Sequence, residues 1–181
     1  MRHTLGKTVV LTVIVFAGIQ AGSAQESIAK RLQSEWEGGR KQMMQIAGAM
    51  RAEKYQYRAT PEVRSFGEIV AHVAGENITW MEMMAGVPNP GSFERYDHLK
   101  SRTEIIKALS DSYDYGAKVL SSINDQQALE NAPFKDRQSP RWWTVMHAIS
   151  HSKEHFGNLV TYLRLNNIVP PSTAEREARG Q

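Results

Sequence analysis

The chain has 181 residues, 41% of them hydrophobic, enough to bury one core of useful size and short for two independent domains. It contains no cysteine. That excludes disulfides and iron–sulfur clusters held by the protein's own thiolates, and it narrows any metal site to His, Asp and Glu. The 22 Lys and Arg exceed the 19 Asp and Glu by three, but two of the cations, Arg2 and Lys7, belong to an N-terminal leader. Without them the balance is 20 against 19, which leaves no electrostatic footprint for nucleic acid.

That leader spans residues 1–24. Arg2 and Lys7 precede an uncharged stretch from Thr8 to Ala24, most apolar at Val9–Ile19, and Gly22-Ser23-Ala24-Gln25 supplies the small residues that a signal peptidase reads. The apolar run is shorter than the roughly 20 residues needed to span a bilayer. The order predicts a secretory signal cleaved after Ala24, an exported (periplasmic or secreted) protein, and no membrane attachment after cleavage. An uncleaved N-terminal anchor is the alternative reading.

Four segments then carry helical periodicity, and none reads as strand. The first places Ile28, Leu32, Trp36, Gly39, Met43, Ile46 and Met50 at intervals of three and four. Gly39 suggests a close helix contact. Residues 53–58 read as a polar loop leading to Thr60-Pro61. The second segment starts there or at the capping-box pattern Ser65-Phe66-Gly67-Glu68, carries Phe66, Val70, Val73, Asn77, Trp80 and Met84 on one stripe, and stops at Gly86. The third opens on another capping-box pattern, Ser101 to Glu104, with a seam of Ile106, Leu109, Tyr113, Gly116, Leu120 and Ile123. The fourth is expected to open at Ser139-Pro140, cap followed by proline at the first helical position, and to run to about Asn166. Residues 25–172 thus predict an all-α four-helix bundle, followed by a polar, frayed tail over 173–181.

His147, His151 and His155 repeat at every fourth residue of the fourth segment. Each step of four turns about 40° and rises about 6 Å, so neighbouring members converge on one ion. The outer two are roughly 12 Å apart along the axis, too far to share it. The ligand pair is therefore His147 with His151 or His151 with His155. A third ligand is available in His72, flanked by Val70, Ala71, Val73 and Ala74, where an apolar setting favours the neutral imidazole that coordinates metal. His3 leaves with the leader, and His98 stands in a polar loop. Glu76, one turn beyond His72 on the same face, and Glu154, beside His155, are the nearest carboxylates, each a candidate second-layer partner or base. Glu76 is the candidate catalytic residue. Three imidazoles on zinc, the default, or on nickel, cobalt or iron leave a coordination position open. Trp142-Trp143, with Trp80, Met83 and Met84, supply core packing or a pocket wall beside such a site.

These residues resemble a known family. The run from Glu53 through Tyr57-Arg58-Ala59-Thr60-Pro61 and Ser65-Phe66-Gly67-Glu68 to His72-Val73 is similar to the loop and second helix of DinB-family proteins of the YfiT-like group. His147 to Leu159 resembles the family's last helix, and Tyr162 to Pro171 its usual ending. The resemblance implies a four-helix bundle with one metal ion bound by His72, His151 and His155, leaving His147 as a neighbour, and it allows a homodimer. The chain departs from the family's frequent His-Arg-Gly-Gln after the last ligand, having His155-Phe156-Gly157-Asn158.

The function expected from these features is a metal-dependent hydrolase acting through a metal-bound water on an unidentified small molecule. A non-enzymatic bundle that binds metal or a small ligand is the alternative, and a thiol S-transferase is a further one that export disfavours. Haem is weaker still, since no c-type attachment motif is present.

Overall fold

The computed structural model describes residues 26–87 and 90–180, and the leader expected over 1–24 lies outside them. Capping chemistry sets the helix starts. Ser27 accepts from the Lys30 amide and opens α1 (Ile28–Ala49). Ser65 and Glu68 form the full reciprocal box at the start of α2 (Phe66–Met84), so Thr60-Pro61 lies in the preceding loop. Ser101 caps α3 (Arg102–Ser121). A short helix α4 (Asp125–Leu129) and a two-stranded hairpin, β1 (Asn131–Phe134) and β2 (Arg137–Pro140), precede α5 (Arg141–Leu165). α6 (Pro171–Ala178) ends the described chain. No helix among the described residues is long and apolar enough to cross a membrane.

α2 and α3 begin at the same end of the bundle. Gln56 donates to the Lys100 carbonyl just ahead of α3, Arg102 donates to the Met50 and Gly48 carbonyls, and Gly67 packs against Ile105. The two helices are therefore parallel, joined by a long crossover through residues 85–101. The other end holds the start of α1, where Ser27 donates to Asp125 at 2.6 Å, and the start of α5, where the Arg141 guanidinium donates to the Met84 carbonyl. The bundle thus has one long crossover connection rather than simple up-and-down order.

α2 is the centre of the molecule. Every residue from Phe66 to Met84 is buried except Glu68 and Glu82. A helix apolar nearly all round must be covered on all sides. α3 and α5 cover two flanks, and the crossover covers another, lying so close that a Cβ on Gly75 would collide with the Phe93 carbonyl. Trp80 packs against both Phe93 and Phe134, with ring centroids 4.7 and 5.3 Å away.

Four expectations change. The stretch read without strands contains the hairpin, whose segments Asn131-Ala132-Pro133-Phe134 and Arg137-Gln138-Ser139-Pro140 lack β-branched residues and carry prolines. Lys135, at φ 55°, turns it. Ser139 and Pro140 belong to β2, so Pro140 stands at the cap position of α5, and Arg141 N–H bonds to the Glu130 carbonyl. The close contact expected at Gly39 occurs instead at Gly116, where the Trp36 indole occupies the space a Cβ would need. The tail expected to fray is helical over α6 and reaches α1 through Gln45 and Glu175, 2.8 Å apart.

Two glycines test this packing with opposite signs. Gly38→Ala has no atom within 4 Å of the new Cβ and should stabilise by about 0.5–1 kcal/mol through helix propensity. Gly116→Ala should destabilise by about 1–2 kcal/mol, because displacing the buried Trp36 outweighs the same gain. Urea unfolding of both variants reads the difference.

Candidate metal centre

The four donors come in two helical pairs. His72 and Glu76 stand one turn apart on α2, His151 and His155 one turn apart on α5, and the two helices pack side by side. One ligand atom from each lies within 4.8 Å of all the others. The His151 and His155 Nε2 atoms are 3.3 Å apart. Glu76 Oε1 is 2.8 Å from His151 Nε2 and 3.3 Å from His72 Nε2, and Glu76 Oε2 is 3.7 Å from His155 Nε2. Bonds of about 2.1 Å to a tetrahedral ion place its donors about 3.4 Å apart, and the separations in this set bracket that value. Both His72 Nδ1 and His155 Nδ1 are buried with no hydrogen-bond partner, which leaves Nε2 as the partnered edge of each ring. Cross-helix rings meet nearly edge to face, at 88° for His72 with His155 and 80° for His72 with His151.

His72, Glu76 and His155 are each 8% exposed, whereas the His151 side chain is 28% exposed and forms the solvent side. A carboxylate this deep requires compensation. Burial works to raise the Glu76 carboxyl, but hydrogen bonds and charge from His151 and His72 outweigh it and hold it at about 2. The hydrogen bond to Glu76 raises His151 against the effect of its own burial. Burial, joined by the charge of His151, pushes His155 down to about 4. The centre therefore holds one fixed negative charge among three imidazoles, a donor set suited to zinc and other borderline divalent ions.

Glu76, which sequence placed beside the ligands, stands among the donors itself. Glu154 approaches His151 Nδ1 at 3.4 Å from a largely exposed position. His147 is not one of the converging four. It lies one turn from His151, with its ring edge-on to Trp80 and Phe134 at 4.7 and 5.2 Å. Trp142 and Trp143 are each more than a third exposed and meet each other at 6.0 Å, while Trp80, Met83 and Met84 are core. His98 stands in the crossover, outside the cluster.

Sequence reasoning missed the support beneath the site. Asn77, assigned to an apolar stripe, donates to Ser112 Oγ at 3.2 Å and accepts from Ser152 Oγ at 3.4 Å. It follows Glu76 in the chain as Ser152 follows His151, so one buried amide links α2, α3 and α5 at the level of the donors. A lone polar residue on an apolar stripe was the available signal.

Comparison with known proteins agrees with this architecture. The DinB family model matches residues 25–179. A DinB-like protein from Bacillus cereus superposes with a TM-score of 0.70 at 17% identity, covering 80% of this chain and 96% of that one. YfiT from Bacillus subtilis, described as "a probable metal-dependent hydrolase with an unusual four-helix bundle topology", gives 0.61 at 12%, covering 77% and 87%. A mycothiol-dependent maleylpyruvate isomerase variant gives 0.61 at 10%, covering 72% and 60%. At these identities the structural likeness is one of fold. No curated protein matches the sequence. With a bundle of this topology and a family match across nearly all of its length, the chain belongs to the DinB family.

Proposed function

We propose that this protein is an exported metal-dependent hydrolase of small esters or amides, with one divalent ion, zinc by preference, held by His72, His151 and His155. The observation that carries the reading is the convergence of three Nε2 atoms and the Glu76 carboxylate at one point between α2 and α5. The description of YfiT, a protein of the same fold, supports it. A bound divalent ion supplies Lewis acidity, polarising a carbonyl and making a water more acidic. The chain supplies the rest. His72 and His155 are the more buried of the three and His151 the more exposed. With Nε2 of His72, His151 and His155 on the ion, none of the three keeps a proton there for Glu76, so the Glu76 carboxylate, 2.8–3.7 Å from those atoms, would act on the ion itself and neutralise part of its charge. Overall, water cleaves the acyl bond, giving a carboxylic acid and an alcohol or amine.

Four measurements test this reading. Elemental analysis of purified protein should find about one divalent ion per chain, lost in His151→Ala, and hydrolysis across an ester and amide panel should stop with chelator and return with zinc. No ion in zinc-supplemented wild type would overturn the site, and a stoichiometric ion with no turnover would make the protein a binding module. Glu76→Gln should keep the fold and weaken zinc binding by about tenfold or more in a competition titration. Mass spectrometry of protein recovered from the exported fraction should give a mature N-terminus at Gln25, and an intact Met1 would favour the anchor instead.

A further inference from the structure

Beside the metal centre, towards the start of α2, lies an open cleft of about 450 Å³. His155 forms part of its wall, so the cleft reaches one of the four converging donors directly. Its volume is that of a small-ligand pocket. Asn158 and Tyr162 extend the wall along α5, three and seven residues beyond His155 and so on the same helical face. Ile69 of α2 closes the floor, and the loop before α2 supplies Glu62, Val63 and Arg64 as the rim.

Arg64 is held in position by its backbone. The Tyr162 hydroxyl donates to the Arg64 carbonyl at 2.6 Å, and Tyr162 is itself set edge-on against Tyr57 at 6.0 Å. The next residue, Ser65, is fully buried and locked into the capping box with Glu68. Nearby Arg58 is engaged with Glu68 and the Val63 carbonyl. The Arg64 guanidinium, by contrast, has no hydrogen-bond or ion-pair partner among the described residues, although it lines a cleft. An unpaired guanidinium lining a concave site, on a segment held through its backbone carbonyl, is suited to two-pronged binding of a carboxylate. Glu62 on the same rim makes the lining neutral overall, which disfavours polyanions such as phosphate esters.

We infer that this cleft is the substrate site and that it takes a small molecule bearing a single carboxylate, bound by Arg64, with its ester or amide group directed towards His155. Asn158 offers both a donor and an acceptor to that ester or amide. The apolar surface of Ile69 and Val63 accommodates a side chain of modest size. The inference rests on the hydrolase reading for the reaction, but not for the binding.

The test is a protein-observed NMR titration with a panel of N-acetyl amino acids and the matching N-acetyl amino amides, run on metal-free and zinc-loaded full-length mature chain. Acids should bind about tenfold tighter than their amides, with shifts centred on residues 62–64 and 155–162. Arg64→Met should remove that preference, Arg64→Lys should restore part of it, and Arg176→Met, on α6 and outside the cleft lining, should leave it unchanged. The zinc content of Arg64→Met should equal that of wild type. Equal binding of acid and amide by wild type, acid preference surviving in Arg64→Met, or no panel member binding at millimolar concentration would each overturn the assignment. Failure of wild type to hold zinc would sink the hydrolase reading separately, because the acid preference is still measured in the metal-free protein.

Discussion

The structure is organised around one buried charge. Glu76 is almost inaccessible to water, and a carboxylate in that position persists only where hydrogen-bond donors are delivered to it from fixed directions. His72 supplies one from the same helix, while His151 and His155 face it from α5. These contacts require α2 and α5 to keep one axial register and one rotational phase. The Asn77–Ser152 and Asn77–Ser112 hydrogen bonds lock both at the adjacent residue, and in doing so bring α3 into the same alignment. A slip of either helix by a residue would leave a charge and an amide unpaired together. Polar groups in this core therefore select one packing where apolar side chains alone would tolerate several.

Much of this was legible along the chain because it depends on periodicity. The spacing of His147, His151 and His155 defined a helical face, the apolar neighbours of His72 turned it inward, and the capping-box pattern at Ser101 marked the start of α3, while for α2 the pattern left Thr60-Pro61 and Ser65 both open. What could not be read depends on tertiary partners. The choice among the α5 histidines needed the position of α2 relative to α5, and spacing alone left both pairs open. Gly39 and Gly116 look alike in sequence, yet only the second meets Trp36, since the contact depends on how α1 crosses α3. The hairpin carries two prolines and no β-branched residue, so its pairing is sustained by Ala132, Phe134 and Ser139 turning inward and not by intrinsic strand preference. The parallel run of α2 and α3 is a property of the crossover, which no local pattern encodes.

The division between scaffold and rim follows from the same layout. The donors project from the two long helices at the core, while Phe93, Phe134 and the Glu62–Arg64 loop approach the α2–α5 groove from connecting segments. Helices position side chains precisely, and loops can change with little cost to the core. A fold shared at 10–17% identity with the B. cereus protein, YfiT and a maleylpyruvate isomerase variant can therefore keep its frame while its groove changes.

The parallel crossover also has a mechanical consequence. Glu76 and His151 stand 75 positions apart, and the intervening chain passes through α3, the short helix and the hairpin before returning. An ion held by both helices would clamp the ends of that long loop. Bringing such distant segments together carries a closure entropy of about 4 kcal/mol when a covalent cross-link of that span enforces it. In a chain with no cysteine, ligation across α2 and α5 would thus act as a reversible staple, making resistance to unfolding depend on the free-ion concentration around the protein.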